Sequence, residues 1–365
     1  MSAPSPRGPR LREHGLRIGR FDTGPANAIT DVASVTVGHV TVWRDEPEPP
    51  EGRGVARTGV TAILPAPVET LCAQPVPAGT AVLNGAGELT GSISIAEWGV
   101  LDTPVYLTSS HAIGRIYDGA VAVAVASDPS VGVDEIVAPV VGECDDSWLS
   151  EARVVQVEAP DAGRAVAEAR GGGAVPEGAV GAGTGMMTKG WKAGIGTSSR
   201  VAPSIDASVG VLVLSNFYPP PGLVMDGVPV GETLGEPPET RSTEAGSCIG
   251  VVAVDAALSP HQLERVARRV GLGLARCGSV AHHGSGEIFV AFAPPGRRPR
   301  GQAPVADVPD SALNDVFEAV VDATEEAVLN ALWAAPEVVG REGRVGHALP
   351  HDEVLELLHR HGRLG

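Results

Sequence analysis

The stretch that most constrains the chain is Gly246-Ser247-Cys248, approached through Glu244-Ala245 and followed by the apolar run 249–254. A small, flexible approach ends in Gly-Ser, and the serine then opens what reads as a buried β-strand. This order suits a chain that cuts itself before Ser247 and uses the freed serine as a nucleophile. Serine is a weak nucleophile until a base takes its proton. At the start of a new chain its own α-amine is such a base, with a pKa of about 7.7–8.0. Gly246, lacking a Cβ, tolerates the strained backbone that brings the hydroxyl onto the preceding carbonyl. Gly-Ser before a strand is also ordinary turn chemistry, so this feature alone leaves both readings open.

Beyond Ser247 the pattern is sharp. The strand over 248–254 leads to Ser259-Pro260-His261-Gln262, a capping box with proline at the first helical position. Leu263, Val266, Ala267 and Val270 form the inward stripe of that helix. Gly284-Ser285-Gly286-Glu287 precedes a strand from 288, and helices are expected over 311–332 and after His351. Ahead of Ser247, the spacing predicts strands over 35–42, 60–64, 81–83, 105–108, 137–141 and 208–214, and helices over 113–125 and 160–170. Residues 44–53 and 294–304 read as exposed loops, and 232–245 as a polar linker where a cut is tolerated. Asn84-Gly85-Ala86-Gly87 calls for unusual backbone angles, a close approach to something, or simply a tight connection. Strands and helices mix throughout with no 20–50-residue repeat, so the expectation is one α/β, sandwich-like domain.

Composition narrows the function. A net charge of −17 over 365 residues argues against a nucleic-acid or anionic-membrane partner, since both favour a basic surface. Cys72, Cys144, Cys248 and Cys277 lie far apart with no C-x-x-C pair. They read as reduced thiols of a cytoplasmic protein rather than a disulfide frame or a zinc site. No metal or organic cofactor site is visible, so no cofactor is expected. The first fifteen or so residues lack the apolar core of a secretory signal, and no later run is long enough to span a bilayer. His282-His283 beside Ser285 suggests a Ser-His pair, but no spacing supplies its acid, and exposed loop histidines are the simpler reading. Of 27 basic residues only Lys189 and Lys192 are lysines.

Several segments resemble the self-processing L-aminopeptidase/D-esterases, the family that includes the β-peptidyl aminopeptidases. They are Asn27-Ala28-Ile29-Thr30-Asp31-Val32, Arg57-Thr58-Gly59-Val60-Thr61-Ala62, 83–91, Gly194-Ile195-Gly196-Thr197-Ser198-Ser199-Arg200, 226–231, Gly246-Ser247, Ser285-Gly286-Glu287 and His347-Ala348-Leu349-Pro350-His351. Their joint order, over most of the chain, is what makes the resemblance specific. It implies a four-layer αββα sandwich of N-terminal-nucleophile type. It also implies a precursor cut at Gly246-Ser247 into 1–246 and 247–365, two chains that stay associated, usually in a homo-oligomer. Ser247 would be the nucleophile with its new amine as base, and Asn216 would donate to the oxyanion. Ser285 and Glu287 would orient and polarise the serine amine and hydroxyl, with the intervening glycine letting both emerge from one tight turn. The residue types agree: an oxyanion needs an N–H donor, and a carboxylate beside the amine raises its pKa and fixes its geometry. Glu143 is the candidate for holding a substrate's ammonium, which must be desolvated and paired. Lys192, beside a Gly-rich turn in a chain that avoids lysine, is the second substrate-site candidate, or a support for the self-cleavage site.

The implied function is an autoprocessed serine aminopeptidase or amidohydrolase. It would release an N-terminal α- or β-amino acid from small unblocked peptides, amides or esters through an acyl-enzyme. A specialised amidase of the same fold, an acyltransferase, and an uncleaved ligand-binding relative are the alternatives. Two departures from the family pattern bear on substrate choice. Phe217-Tyr218-Pro219-Pro220-Pro221 replaces a short Gly-containing turn after Asn216, and the acidic Asp145-Asp146-Ser147-Trp148 follows Glu143 where aromatic or amide residues are expected.

Overall fold

Ser247 lies one residue inside a strand that runs through the middle of the larger of two stacked sheets. The structure, a computed structural model, describes residues 5, 7–218, 222–238, 246–303 and 305–364. In chain order its main strands are β1 (Thr36–Asp45), β2 (Val55–Leu64), β3 (Val76–Gly85), β4 (Val100–Leu101), β5 (Val105–Ser109), β6 (Val140–Cys144) and β7 (Arg170–Gly171). They continue with β8 (Met187–Thr188), β9 (Trp191–Lys192), β10 (Ile195–Ala202), β11 (Ala207–Asn216), β12 (Gly246–Val254) and β13 (Ser285–Phe292). One sheet has the order β6-β5-β2-β1-β7, the other β10-β11-β12-β13-β3-β4, and β8 pairs with β9 in a small hairpin.

Alternation along the strands builds the layers. Ile249, Val251 and Ala253 of β12 meet Ile63, Val105, Leu107 and Val140 in a core between the sheets. Val252 and Val254 join Phe289 and Ala291 on the other face, beneath Leu263, Val266, Val270 and Leu274 and the long helix Leu313–Ala334. On the far side of the first sheet, Val60, Ala62 and Tyr106 pack on Ile116 and Ala120 of the helix Ile113–Ser127 and on Ala162 and Ala165 of the helix Pro160–Ala167. The order is helix, sheet, sheet, helix, the αββα sandwich expected. Every residue of β12 is buried, which explains its unbroken apolar run. Each fully buried Val or Leu contributes about 1.5–3 kcal/mol.

β12 and β13 run parallel, so the chain must cross over between them, and the helices Pro260–Ala267 and Val270–Arg276 do so. The capping box forms: Gln262 N donates to Ser259 Oγ at 3.2 Å and Ser259 N to Gln262 Oε1 at 3.0 Å. Several strands differ from expectation in their bounds: β3 runs over Val76–Gly85 rather than 81–83, β13 begins at Ser285 rather than 288, and β6 is shifted. β6 starts after Pro139, whose missing N–H cannot join the ladder, and it carries Glu143 and Cys144 within it rather than in the loop beyond. The linker over 232–245 begins with the helix Val230–Leu234, and its residues 239–245 lie outside those described. Among the described residues, no helix is long and apolar enough to cross a membrane.

Candidate active site

Three strand ends meet at the site. Asn216, the last residue of β11, sits directly opposite Ser247 in the antiparallel ladder, and Gly286 sits opposite Ser247 on the parallel side. Ser247 Oγ donates to Gly246 O at 2.6 Å, so the hydroxyl lies against the peptide group that precedes it. The expected reason for Gly246 needs correcting. Gly246 is not among the glycines with positive φ, and it lies within β12. Space is what it supplies, since a Cβ there would fall 2.8 Å from Phe217 Cα and 2.9 Å from Asn216 O.

Asn216 is aimed by two backbone groups. Met187 N donates to its Oδ1 at 2.9 Å, and its Nδ2 donates to Asp145 O at 3.0 Å. These partners fix which end of the carboxamide is nitrogen. Nδ2 carries two protons, and the bond to Asp145 O uses one of them. Lys192 stands behind this arrangement. It is the cross-strand partner of Met187, and its Nζ donates to the carbonyls of Gly183, Met186 and Ala193 at 3.1, 2.8 and 2.6 Å. Burial draws its pKa down to about 7, with the charge of Asp146 pulling the other way. All three ammonium protons go to backbone and the side chain is fully buried. Lys192 therefore braces the turn that orients Asn216 and offers no surface to a substrate.

Ser285 Oγ donates to Glu287 Oε1 at 2.5 Å. The two residues do not share a turn, as the sequence suggested. Both belong to β13, and the turn comes just before, closed by Ser285 N donating to His282 O at 2.8 Å. Gly286 is needed for another reason: a Cβ there would lie 2.7 Å from Ala86 O and 3.1 Å from Gly87 Cα. The glycine-rich loop after β3 thus crosses β13 directly opposite Ser247. Asn84 pins that crossing, its Nδ2 donating to Ser285 O at 2.6 Å and His282 O at 2.8 Å. Burial raises the Glu287 pKa, partly offset by the Ser285 bond. Its Oε2 is buried without a hydrogen-bond partner among the described residues.

Glu143 reaches the site from the other sheet. Its Oε1 accepts from Glu88 N at 3.0 Å, and its Oε2 accepts from the Ser110 hydroxyl. A Cβ on Gly87 would come within 2.9 Å of Glu143 Oε1, so the same loop touches Gly286 and Glu143. Burial raises the pKa of Glu143 against the pull of these two hydrogen bonds. Gly246, Ser247, Asn216, Ser285, Glu287 and Glu143 are thus gathered, and Lys192 is set behind them. A cavity of about 690 Å³ walled by Ile95, Trp98, Ile136 and Arg300 shares none of these side chains. Sequence reading missed Ser110, Asn84 and the backbone groups of Met187 and Asp145. Asn84 had a signal in its Asn-Gly loop, but a carbonyl or amide acting through the main chain leaves none.

Peptidase family S58 matches residues 27–346. The chain belongs to this family. As an S58 member it is 39% identical to the beta-peptidyl aminopeptidase BapA of Sphingosinicella microcystinivorans, over 99% of this chain and 95% of that one. It is 38% identical to the BapA of Sphingosinicella xenopeptidilytica, over 96% and 91%. The L-aminopeptidase D-Ala-esterase/amidase of Ochrobactrum anthropi superposes with a TM-score of 0.90 at 38% identity, covering 98% of this chain and all of that one. That structure is described as a prototype of the serine aminopeptidases and a variant of the Ntn hydrolase fold. The αββα sandwich of this S58 chain is accordingly of the N-terminal-nucleophile type, and the protein is a hydrolase of an aminopeptidase family.

Proposed function

We propose that this S58 chain cuts itself before Ser247 and then works as a serine aminopeptidase or amidohydrolase on small unblocked peptides, amides or esters of α- or β-amino acids. The carrying observation is the Ser247 hydroxyl lying on the Gly246 peptide with Asn216 alongside. In self-cleavage, Oγ attacks the Gly246 carbonyl carbon, the C–N bond breaks, and the acyl group passes from nitrogen to oxygen. Water then hydrolyses the ester, leaving a Gly246 carboxylate and a free Ser247 amine and hydroxyl. In turnover the amine takes the Oγ proton, Oγ attacks the substrate carbonyl, and the free Asn216 N–H meets the oxyanion. The proton passes to the leaving amine, and water releases the amino acid from the acyl-enzyme. The unpartnered Glu287 Oε2 supports this reading, because the new ammonium is a donor able to fill it. Glu143 would hold the substrate's ammonium, buried and with lone pairs still open.

The wider proposal comprises chains 1–246 and 247–365 that stay together, a homo-oligomer with exposed Ile93, Trp98 and Ile136 available for contacts, and a cytoplasmic setting suited to four free, buried cysteines. The test is release of free amino acid from alanyl and β-homoalanyl p-nitroanilides. Turnover by the wild type and none by Ser247→Ala is expected. Full activity in Ser247→Ala would exclude the serine mechanism.

A further inference from the structure

A second cavity, of about 320 Å³, begins where the gathered residues end. Ser110, which donates to Glu143, lines it, and so does Asp145, whose carbonyl aims Asn216. Its other walls include Thr58, Asp146, Ser147 and Glu151. Among the described residues, the lining contains three carboxylates, Asp145, Asp146 and Glu151, and neither lysine nor arginine. The three are not equivalent. Glu151 is already neutralised by Arg153 at 2.6 Å and Arg341 at 3.7 Å. Asp146 is only 3% exposed, and its Oδ2 is buried without a hydrogen-bond partner of good geometry among the described residues. Lys192, the nearby cation, gives its protons to three carbonyls instead. The Thr58 hydroxyl beside Asp146 is a neutral neighbour that offsets only part of the burial raising its pKa, so an incoming cation relieves a cost the site still carries.

We propose that this cavity is a specificity pocket for a cationic side chain on the N-terminal residue of the substrate, recognised by Asp146. The proposal rests on the aminopeptidase reading above and names its substrate class. With the substrate's α- or β-ammonium on Glu143, the Ser110 bridge leads its side chain toward the cavity, and the volume suits an alkyl ammonium or a guanidinium. The acidic Asp145-Asp146-Ser147 segment that departs from the family pattern forms one wall of it. A metal is a poorer occupant, because among the described residues no group of three His, Cys, Asp or Glu is placed to hold one.

The test compares lysyl with norleucyl p-nitroanilides, in both the α- and β³-homo series, using the wild-type protein. Norleucine keeps the four side-chain carbons and removes the ammonium. The expected result is a kcat/KM at least about tenfold higher for the lysyl substrate, the order given by one charge-assisted hydrogen bond. Asp146→Asn should bring the ratio close to one. So should Ser147→Lys, which plants an ammonium in the lining and covers the case in which Asp146→Asn does not fold. Equal turnover of lysyl and norleucyl substrates by the wild type overturns the pocket and leaves the aminopeptidase reading standing. No turnover of these or of alanyl and β-homoalanyl substrates overturns the aminopeptidase reading, and the pocket with it.

Discussion

Asn216 shows how much of this site is decided by single hydrogen bonds. Its side chain is committed on the oxygen to Met187 N and on one N–H to Asp145 O, and the residue stands opposite Ser247 in the ladder. Asn216→Ala should therefore lower kcat by about 10²–10³, the usual effect of losing one oxyanion donor, and slow self-cleavage as well. Steady-state kinetics on processed protein and the rate of chain appearance on a denaturing gel check the two effects. Gly246 is constrained by space instead. A methyl group there meets backbone, which cannot swing aside as a side chain can, so Gly246→Ala should leave the chain largely uncut while it still folds. Circular dichroism and intact mass on one preparation separate those outcomes. Lys192 acts through the backbone it holds. Lys192→Met should leave the Ala193 carbonyl short of a donor, at about 1–3 kcal/mol where no water replaces it, while Gly183 O and Met186 O keep the backbone N–H groups of Met186 and Ala193, and should reduce kcat more than it raises KM.

The loop between β3 and Leu89 is the element that joins the two sheets' contributions, lying on Gly286 at one point and against Glu143 at another. Because burial raises the Glu143 pKa, the charged form that pairs with a substrate ammonium is lost at a higher pH than for an exposed glutamate. KM should accordingly rise as pH falls, starting above the ordinary glutamate range, and Glu143→Gln should show a raised KM without that dependence. A pH series of KM on a substrate with a free ammonium and an uncharged side chain decides it. At this scale the sequence was informative where periodicity and local chemistry act together. The apolar run after Ser247, the Ser259–Gln262 capping box and the helix stripe of Leu263, Val266 and Ala267 form as their spacing implies, whereas Val270, expected in that stripe, opens the next helix. Less was legible where a long-range contact sets the requirement. Gly286 reads locally as a turn residue, but its reason is the carbonyl of Ala86, far away in the chain. Glu143 reads as part of an acidic loop, and only pairing of β6 with β5 shows it to be a strand residue beside Ser110.

Across the whole molecule, a cut before Ser247 would divide a single sheet between two chains. β10, β11, β3 and β4 would belong to one and β12 and β13 to the other, joined by the ladders on both flanks of the β12–β13 pair. The two chains should therefore co-elute in native size exclusion and separate only in denaturant. The charges follow the same long-range plan. Glu326, inside the helix Leu313–Ala334, accepts from Arg12, Arg200 and Asn27, linking the N-terminal segment to the second sheet and its helix. Burial would raise its pKa, but these partners outweigh that and hold it below the ordinary value. A depressed folded pKa means the contribution is present above the unfolded value and is lost as pH falls through the folded one. Glu326→Ala should cost about 3–5 kcal/mol in urea unfolding by stranding a buried Arg200. Ser247 as a new N-terminus is tested by intact mass with N-terminal sequencing under denaturing conditions. The account predicts two chains, the smaller beginning Ser-Cys-Ile-Gly, and a single chain for Ser247→Ala. One uncut wild-type chain in a preparation that still releases amino acid would contradict it.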